Sequence, residues 1–163
     1  MKIIHRSSKF QIGKFITSIL LVAIASFIGY LLTNQAVKDW YPTLIKPELN
    51  PPSWIFGPVW TVLYLMMGIA LYLVRTKPAT TGSKVALAFF YIQLGLNVLW
   101  SYSFFMLHSP YWGMINIIAL WVMIIVTIFL FFGQSKVAGW LLIPYLLWVS
   151  FASYLNFSIW FLN

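Results

Sequence analysis

The chain has 163 residues, of which 62% are hydrophobic and 7% charged, with a mean hydropathy of +0.90 and a formal net charge of +8. A soluble domain cannot cover that much apolar surface, so the composition specifies a membrane protein, and at this length it leaves no room for a second, soluble domain. The chain lacks cysteine, which excludes disulfides, thiolate zinc sites and cysteine nucleophiles.

A basic segment carrying Lys2, Arg6, Lys9 and Lys14 precedes the first apolar run, Phe15–Leu32. No small-x-small cleavage site follows, so the run is expected to stay as a spanning helix rather than leave as a signal peptide. Four more runs follow: Trp54–Val74, Val85–Leu107, Tyr111–Phe132 and Val137–Leu162. None contains Lys, Arg, Asp or Glu. The shortest, at 18 residues, would be roughly 27 Å long as a helix and just covers a hydrocarbon core of about 30 Å. A lipid-embedded backbone must satisfy its own hydrogen bonds, and long runs without dyad alternation favour helices over a barrel. The fold class is therefore all-α, a five-helix membrane bundle in one domain spanning 1–163.

The connections carry the charge. Lys2, Arg6, Lys9, Lys14, Arg75, Lys77, Lys84 and Lys136 fall on one side of such a bundle, and only Lys38 and Lys46 on the other. If the membrane is a bacterial cell membrane, that bias predicts a cytoplasmic N-terminus, with the first loop and the C-terminus outside. Nucleic-acid binding, the other reading of a basic chain, needs one clustered basic face, whereas these charges are spread over short loops.

The long connection, 33–53, holds both acidic residues, Asp39 and Glu48, and the prolines Pro47, Pro51 and Pro52. These prolines restrict the backbone, so the loop is expected to be stiff and to serve either as a lid or simply as a helix stop and start. Pro58 is tolerated near a helix start, where first-turn amides lack partners.

Aromatic residues make up 20% of the chain. Trp40, Trp54, Trp112, Trp140 and Trp160 sit near span ends, where indole rings ordinarily anchor at the interface. Trp60, Trp100, Trp121 and Trp148 lie deeper, where an indole needs a hydrogen-bond partner and either close packing or a cavity. Gln93, Asn97, Trp100 and Ser101 recur on one helical face, and Trp148, Ala152, Leu155 and Asn156 on another. Both faces should point into the bundle, to serve interhelical hydrogen bonds or a pocket for a flat apolar ligand. The spans hold no carboxylate pair, deep histidine or Ser/His/Asp set, so no catalytic or metal-binding residue is assigned and a proton-driven pump is disfavoured.

The stretches "WYPTLIKPELNPPSWIFGPVWTVLYLMMG", "LNVLWSYSFF" and "LLIPYLLWVSFASYLNFSIWFLN" resemble the translocator protein family, the tryptophan-rich sensory or TspO/MBR proteins, over nearly everything from Trp40 onward. The resemblance implies a five-helix bundle, often a homodimer, with the proline-rich loop as a lid over a pocket. It also implies ligands: porphyrins such as protoporphyrin IX, haem, sterols in animals, and synthetic benzodiazepine-type compounds. No cofactor is required; the tetrapyrrole is the ligand, and membrane lipid the surrounding partner. The implied ligand-binding set is Trp40 and Pro51 from the lid, Trp60 and Tyr64 from the second helix, Asn97 and Trp100 from the third, and Trp148, Ala152 and Leu155 from the fifth. Roles in sensing, sequestration or transport follow, with light-dependent porphyrin degradation by pocket tryptophans as the alternative.

Two positions depart from the family pattern. The lid reads KPELNPP, with Leu49 where a Trp is usual, which is expected to spare binding but slow photochemistry; the fourth helix has Asn116 where an Asp is frequent. Sterol binding is expected to be poor, because no basic residue follows Tyr154.

Overall fold

The computed structural model describes residues 10–163, so Lys2, Arg6 and Lys9 lie outside the described residues. Among the described residues five segments are long and apolar enough to cross a membrane. They comprise α1 (Ile12–Asp39), α2 (Phe56–Arg75), α3 (Thr81–Ser101), α4 (Pro110–Gln134) and a fifth span divided into α5 (Lys136–Leu141) and α6 (Ile143–Leu162). Around the bundle α1 packs on α2 and α3, α3 on α4, α4 on α5 and α6, and α2 on α5.

The boundaries depart from the apolar runs for local reasons. The first helix does not stop at Leu32 but continues to Asp39, because its polar last turns contain neither Gly nor Pro and Gln35 bonds Asp39 one turn on. The expected loop from Thr33 therefore begins only at Trp40. At its other end, α3 starts at Thr81 rather than Val85: Thr80 and Ser83 form a reciprocal capping box, so the polar first turn is helical. Ser109 and Ser135 cap α4 and α5 more simply, their hydroxyls accepting from the Trp112 and Ala138 N–H groups, with Pro110 in the first turn of α4. The fifth span is not the continuous helix expected from its apolar run. Pro144 lacks an amide donor, and the chain turns at Leu142, whose N–H donates to the Gly139 carbonyl at 3.1 Å.

The third span ends in a π-helical turn, Tyr102–Met106, in which the Leu107 N–H reaches the Tyr102 carbonyl at 3.0 Å. The wider turn buries Ser103, Phe104 and Phe105 together. His108 ends it with φ of +48°, a left-handed conformation that His adopts more readily than most residues.

Lipid tails are as apolar as leucine, so close packing rather than water exclusion holds such helices together. The core is correspondingly tight around Met67, Ala70, Leu71, Val74, Ala86, Phe90 and Phe131, all fully buried. Gly68 sets the approach of α2 to α1: a Cβ there would lie 2.7 Å from Ile19 Cδ1. At one end of the bundle Arg75 donates to Thr17 and Ser18, and Lys14 to the Arg75 carbonyl. Among the described residues Lys77, Lys84 and Lys136 also lie at this end by topology, and Lys38 and Lys46 at the other.

Candidate functional site

The opposite half of the bundle is hollow. A cavity of about 700 Å³ opens between α1, α2, α3, the π turn and α6. Its walls are aromatic and aliphatic, with Trp60 and Tyr64 from α2, Asn97 and Trp100 from α3, and Trp148, Ala152 and Leu155 from α6. The other two residues of the expected set do not border it. Pro51 lies in the loop, and Trp40 is turned into the roof, stacked 4.8 Å from the His108 ring and edge-on to Phe104 at 5.5 Å. Phe104 in turn stacks on Trp100 at 5.4 Å, so Trp40 is one ring removed from the cavity.

Hydrogen bonds between helices fix the polar wall. The Tyr64 hydroxyl donates to Asn97 Oδ1 at 2.6 Å, Asn97 Nδ2 donates to the Tyr145 hydroxyl at 2.8 Å, and that hydroxyl donates to Gln93 Oε1 at 3.0 Å. A second relay runs from Trp100 Nε1 to Asn156 Oδ1 at 3.1 Å, and from Asn156 Nδ2 to the Pro110 carbonyl at 2.7 Å. The relays join α2, α3, α4 and α6 and explain the two amide-bearing faces seen in the sequence. Trp148 differs: its Nε1–H is buried without a partner while its ring borders the cavity and meets Phe56 edge-on at 6.0 Å. The fourth deep indole, Trp121, faces outward and donates to Ser150 at 2.8 Å; it is no part of the cavity.

The loop between α1 and α2 crosses this end. Tyr41 and Ser53 border the cavity from it. The Tyr41 hydroxyl donates to Asn50 Oδ1 at 2.7 Å, the Asn50 N–H closes a turn on the Pro47 carbonyl at 3.0 Å, and Asn163 clamps Ile45 through both its N–H (2.9 Å) and its carbonyl (3.0 Å). Lys46 caps the Pro42 and Leu44 carbonyls and lies 5.0 Å over the Tyr41 ring. The loop is thus stiff through its own contacts as well as its prolines. Leu49 is 66% exposed and forms no part of the cavity wall.

Sequence reasoning missed the wall that α1 contributes. Val22, Ser26, Gly29, Thr33 and Val37 border the cavity at helical spacing, a stripe of small and hydroxylated residues that was visible in the sequence but carried no motif. Phe104 and Phe105 were missed too, because adjacent residues share one face only where the helix widens into a π turn. Among the described residues no cluster of His, Asp or Glu could hold a metal ion.

The sequence matches the model of the TspO/MBR family over residues 18–161. It is 47% identical to the Tryptophan-rich protein TspO of Archaeoglobus fulgidus over 153 residues, 94% of this chain and 99% of that protein. The Tryptophan-rich sensory protein of Cereibacter sphaeroides is 35% identical, across 91% of this chain and 90% of its own. The human Translocator protein is 32% identical, across 86% of this chain and 85% of its own. With a match running from α1 to the last turn of α6, the chain belongs to the TspO/MBR family.

Proposed function

We propose that this membrane protein binds flat apolar ligands of the tetrapyrrole type, protoporphyrin IX or haem, within the cavity, for sensing, sequestration or transport. The carrying observation is a cavity of about 700 Å³ walled by the rings of Trp60, Trp100 and Trp148, with one buried indole N–H left without a partner. Small-molecule pockets are of this size, mostly apolar, and carry a few polar groups that orient the ligand. Three indoles offer stacking faces, and a turn of the Trp148 ring would bring its buried, unpartnered N–H to a ligand acceptor. Synthetic benzodiazepine-type ligands, also flat and apolar, suit the same walls. The names of two relatives, a sensory protein and a translocator protein, agree with a ligand-handling role. On this reading the membrane is a bacterial cell membrane and the N-terminus cytoplasmic, an orientation supported by the excess of basic residues on one side of the spans, and the protein is a homodimer, as the family resemblance implies.

A second reading is light-dependent oxidative breakdown of a bound porphyrin, favoured by the oxidisable indoles that line the cavity. One experiment addresses both readings: protoporphyrin IX is titrated into purified protein while tryptophan fluorescence and porphyrin absorbance are followed, in darkness and under light, with and without air. Saturable quenching in the dark supports binding. Loss of porphyrin absorbance only under light and air adds the degradative reading, and the absence of saturable quenching would refute both.

A further inference from the structure

The two charges at the end of α1 are sorted by face. Lys38 borders the cavity at its exposed mouth, one helical turn beyond Asn34, which borders it too. Asp39 and Gln35, on the neighbouring stripe, bond each other and stay outside the wall. Glu48, the only other side-chain carboxylate in the sequence, is exposed in the loop and also stays outside, as does the terminal residue Asn163 beside Ile45. The cavity therefore presents a cation and no anion. The second lysine of this end, Lys46, is occupied by the Pro42 and Leu44 carbonyls. Lysine ammonium hydrogen bonds among the described residues belong to Lys14 and Lys46, which leaves Lys38 open at the mouth.

Resting on the reading of the cavity as a ligand site, we propose that Lys38 is a specificity residue that pairs with an acidic group of the ligand, so that the site selects flat apolar molecules bearing a carboxylate. Such a ligand lies with its apolar body among Trp60, Trp100 and Trp148 and its anionic edge at the mouth. There the ammonium and the carboxylate both keep part of their hydration, which avoids the desolvation cost of a buried pair. A lysine in the last turn of a helix also favours the helix dipole, whichever face it occupies. That role would change stability and not ligand choice, so the two roles are separable by experiment.

Protoporphyrin IX and its dimethyl ester, which lacks the free carboxylates, are titrated against wild type, Lys38→Gln, Lys38→Arg and Lys38→Glu by tryptophan quenching in a neutral detergent. The diacid is expected to lose about fivefold in affinity in Lys38→Gln, equivalent to about 1 kcal/mol at a solvent-accessible pair. It loses more in Lys38→Glu and keeps its affinity in Lys38→Arg, whereas the ester binds all four alike. Salt weakens only the diacid, and only where the cation remains. If the diacid binds Lys38→Gln as tightly as wild type, or the ester loses as much as the diacid, the proposal is overturned and the cavity reading stands. If neither form binds wild type saturably, both fall together.

Discussion

Trp148 and Trp100 both present indole rings to the cavity, but they differ in what their N–H groups do, and that difference can be measured. Trp100 Nε1 donates to Asn156, whose amide holds the start of α4, whereas Trp148 Nε1 is buried with no acceptor. Replacing each by Phe keeps an aromatic ring and deletes the donor. For Trp100→Phe the lost interhelical bond averages about 0.6 kcal/mol in membrane bundles, and the abandoned Asn156 oxygen adds a penalty of about 1 kcal/mol or more. The sum of about 1.6 kcal/mol should lower Tm by roughly 3–6 °C for a chain of this size. For Trp148→Phe nothing is abandoned. The smaller ring borders space that already exists, so no new sealed cavity forms, and Tm should stay within about 2 °C, the equivalent of under 1 kcal/mol. Binding should show the reverse order. Loss of the free donor at position 148 removes about 1 kcal/mol of ligand hydrogen bonding, roughly fivefold in protoporphyrin IX affinity, while Trp100→Phe retains its stacking face and shifts affinity less. Thermal unfolding in detergent and fluorescence titration read the two quantities. If Trp148→Phe destabilises as much as Trp100→Phe, or leaves affinity unchanged, the unpartnered N–H is not reserved for a ligand.

Topology can be tested in a chain without native cysteine: Glu48→Cys should react with an impermeant maleimide in intact cells and Lys77→Cys should not, both positions being exposed, and the opposite pattern would invert the assignment. Burial pushes the Tyr41 phenol up, against an opposing hydrogen bond to Asn50, so the neutral form is favoured in the fold; the stability this gives is present below the ordinary tyrosine value of about 10 and lost as pH rises above it. Thermal scans between pH 8 and pH 11.5 should thus show an alkaline fall in Tm, in which Tyr41→Phe removes the Tyr41 share; an identical fall in that variant would refute the assignment. Under illumination, Trp148→Phe and Trp100→Phe should slow any loss of porphyrin absorbance, whereas Trp40→Phe should not, since Trp40 lies behind Phe104; the reverse ranking would place the photochemistry in the roof.

The five spans were legible because a bilayer demands long apolar runs, and five such runs are what the chain contains. Their ends were not, since hydropathy marks where lipid contact stops, not where the helix stops. Residues 33–39 are polar yet helical, and a capping box at Thr80 starts α3 ahead of its apolar run. Within the candidate site, Asn97, Trp100 and Trp148 stood out as an amide and two indoles, with Ala152 one turn beyond Trp148 on its face, a pattern that lipid-facing residues have no reason to keep. The α1 wall did not stand out, because Ser26, Gly29 and Thr33 are equally at home in ordinary helix packing. Trp121 shows the converse error. Depth in a span does not fix the face, and this indole satisfies its N–H on Ser150 at the outer surface.

The departure at Leu49 weighs differently once the loop is seen in place. From the sequence, a missing lid tryptophan was expected to leave binding intact and slow light-driven chemistry, on the premise that lid rings touch the ligand. In the structure Leu49 is exposed and Trp40 stacks on His108, so neither belongs to the cavity wall. The loop does not need a ring at position 49 to hold its shape, because Tyr41, Lys46, Asn50 and Asn163 fasten it at four points. What the loop brings to the cavity is Tyr41 and Ser53, while the three indoles at the wall come from helices that the Leu49 exchange does not touch. The rigid helices thus carry the stacking surface and the loop carries the cover. On that division, position 49 meets solvent, and the number of indoles at the cavity wall is set by Trp60, Trp100 and Trp148.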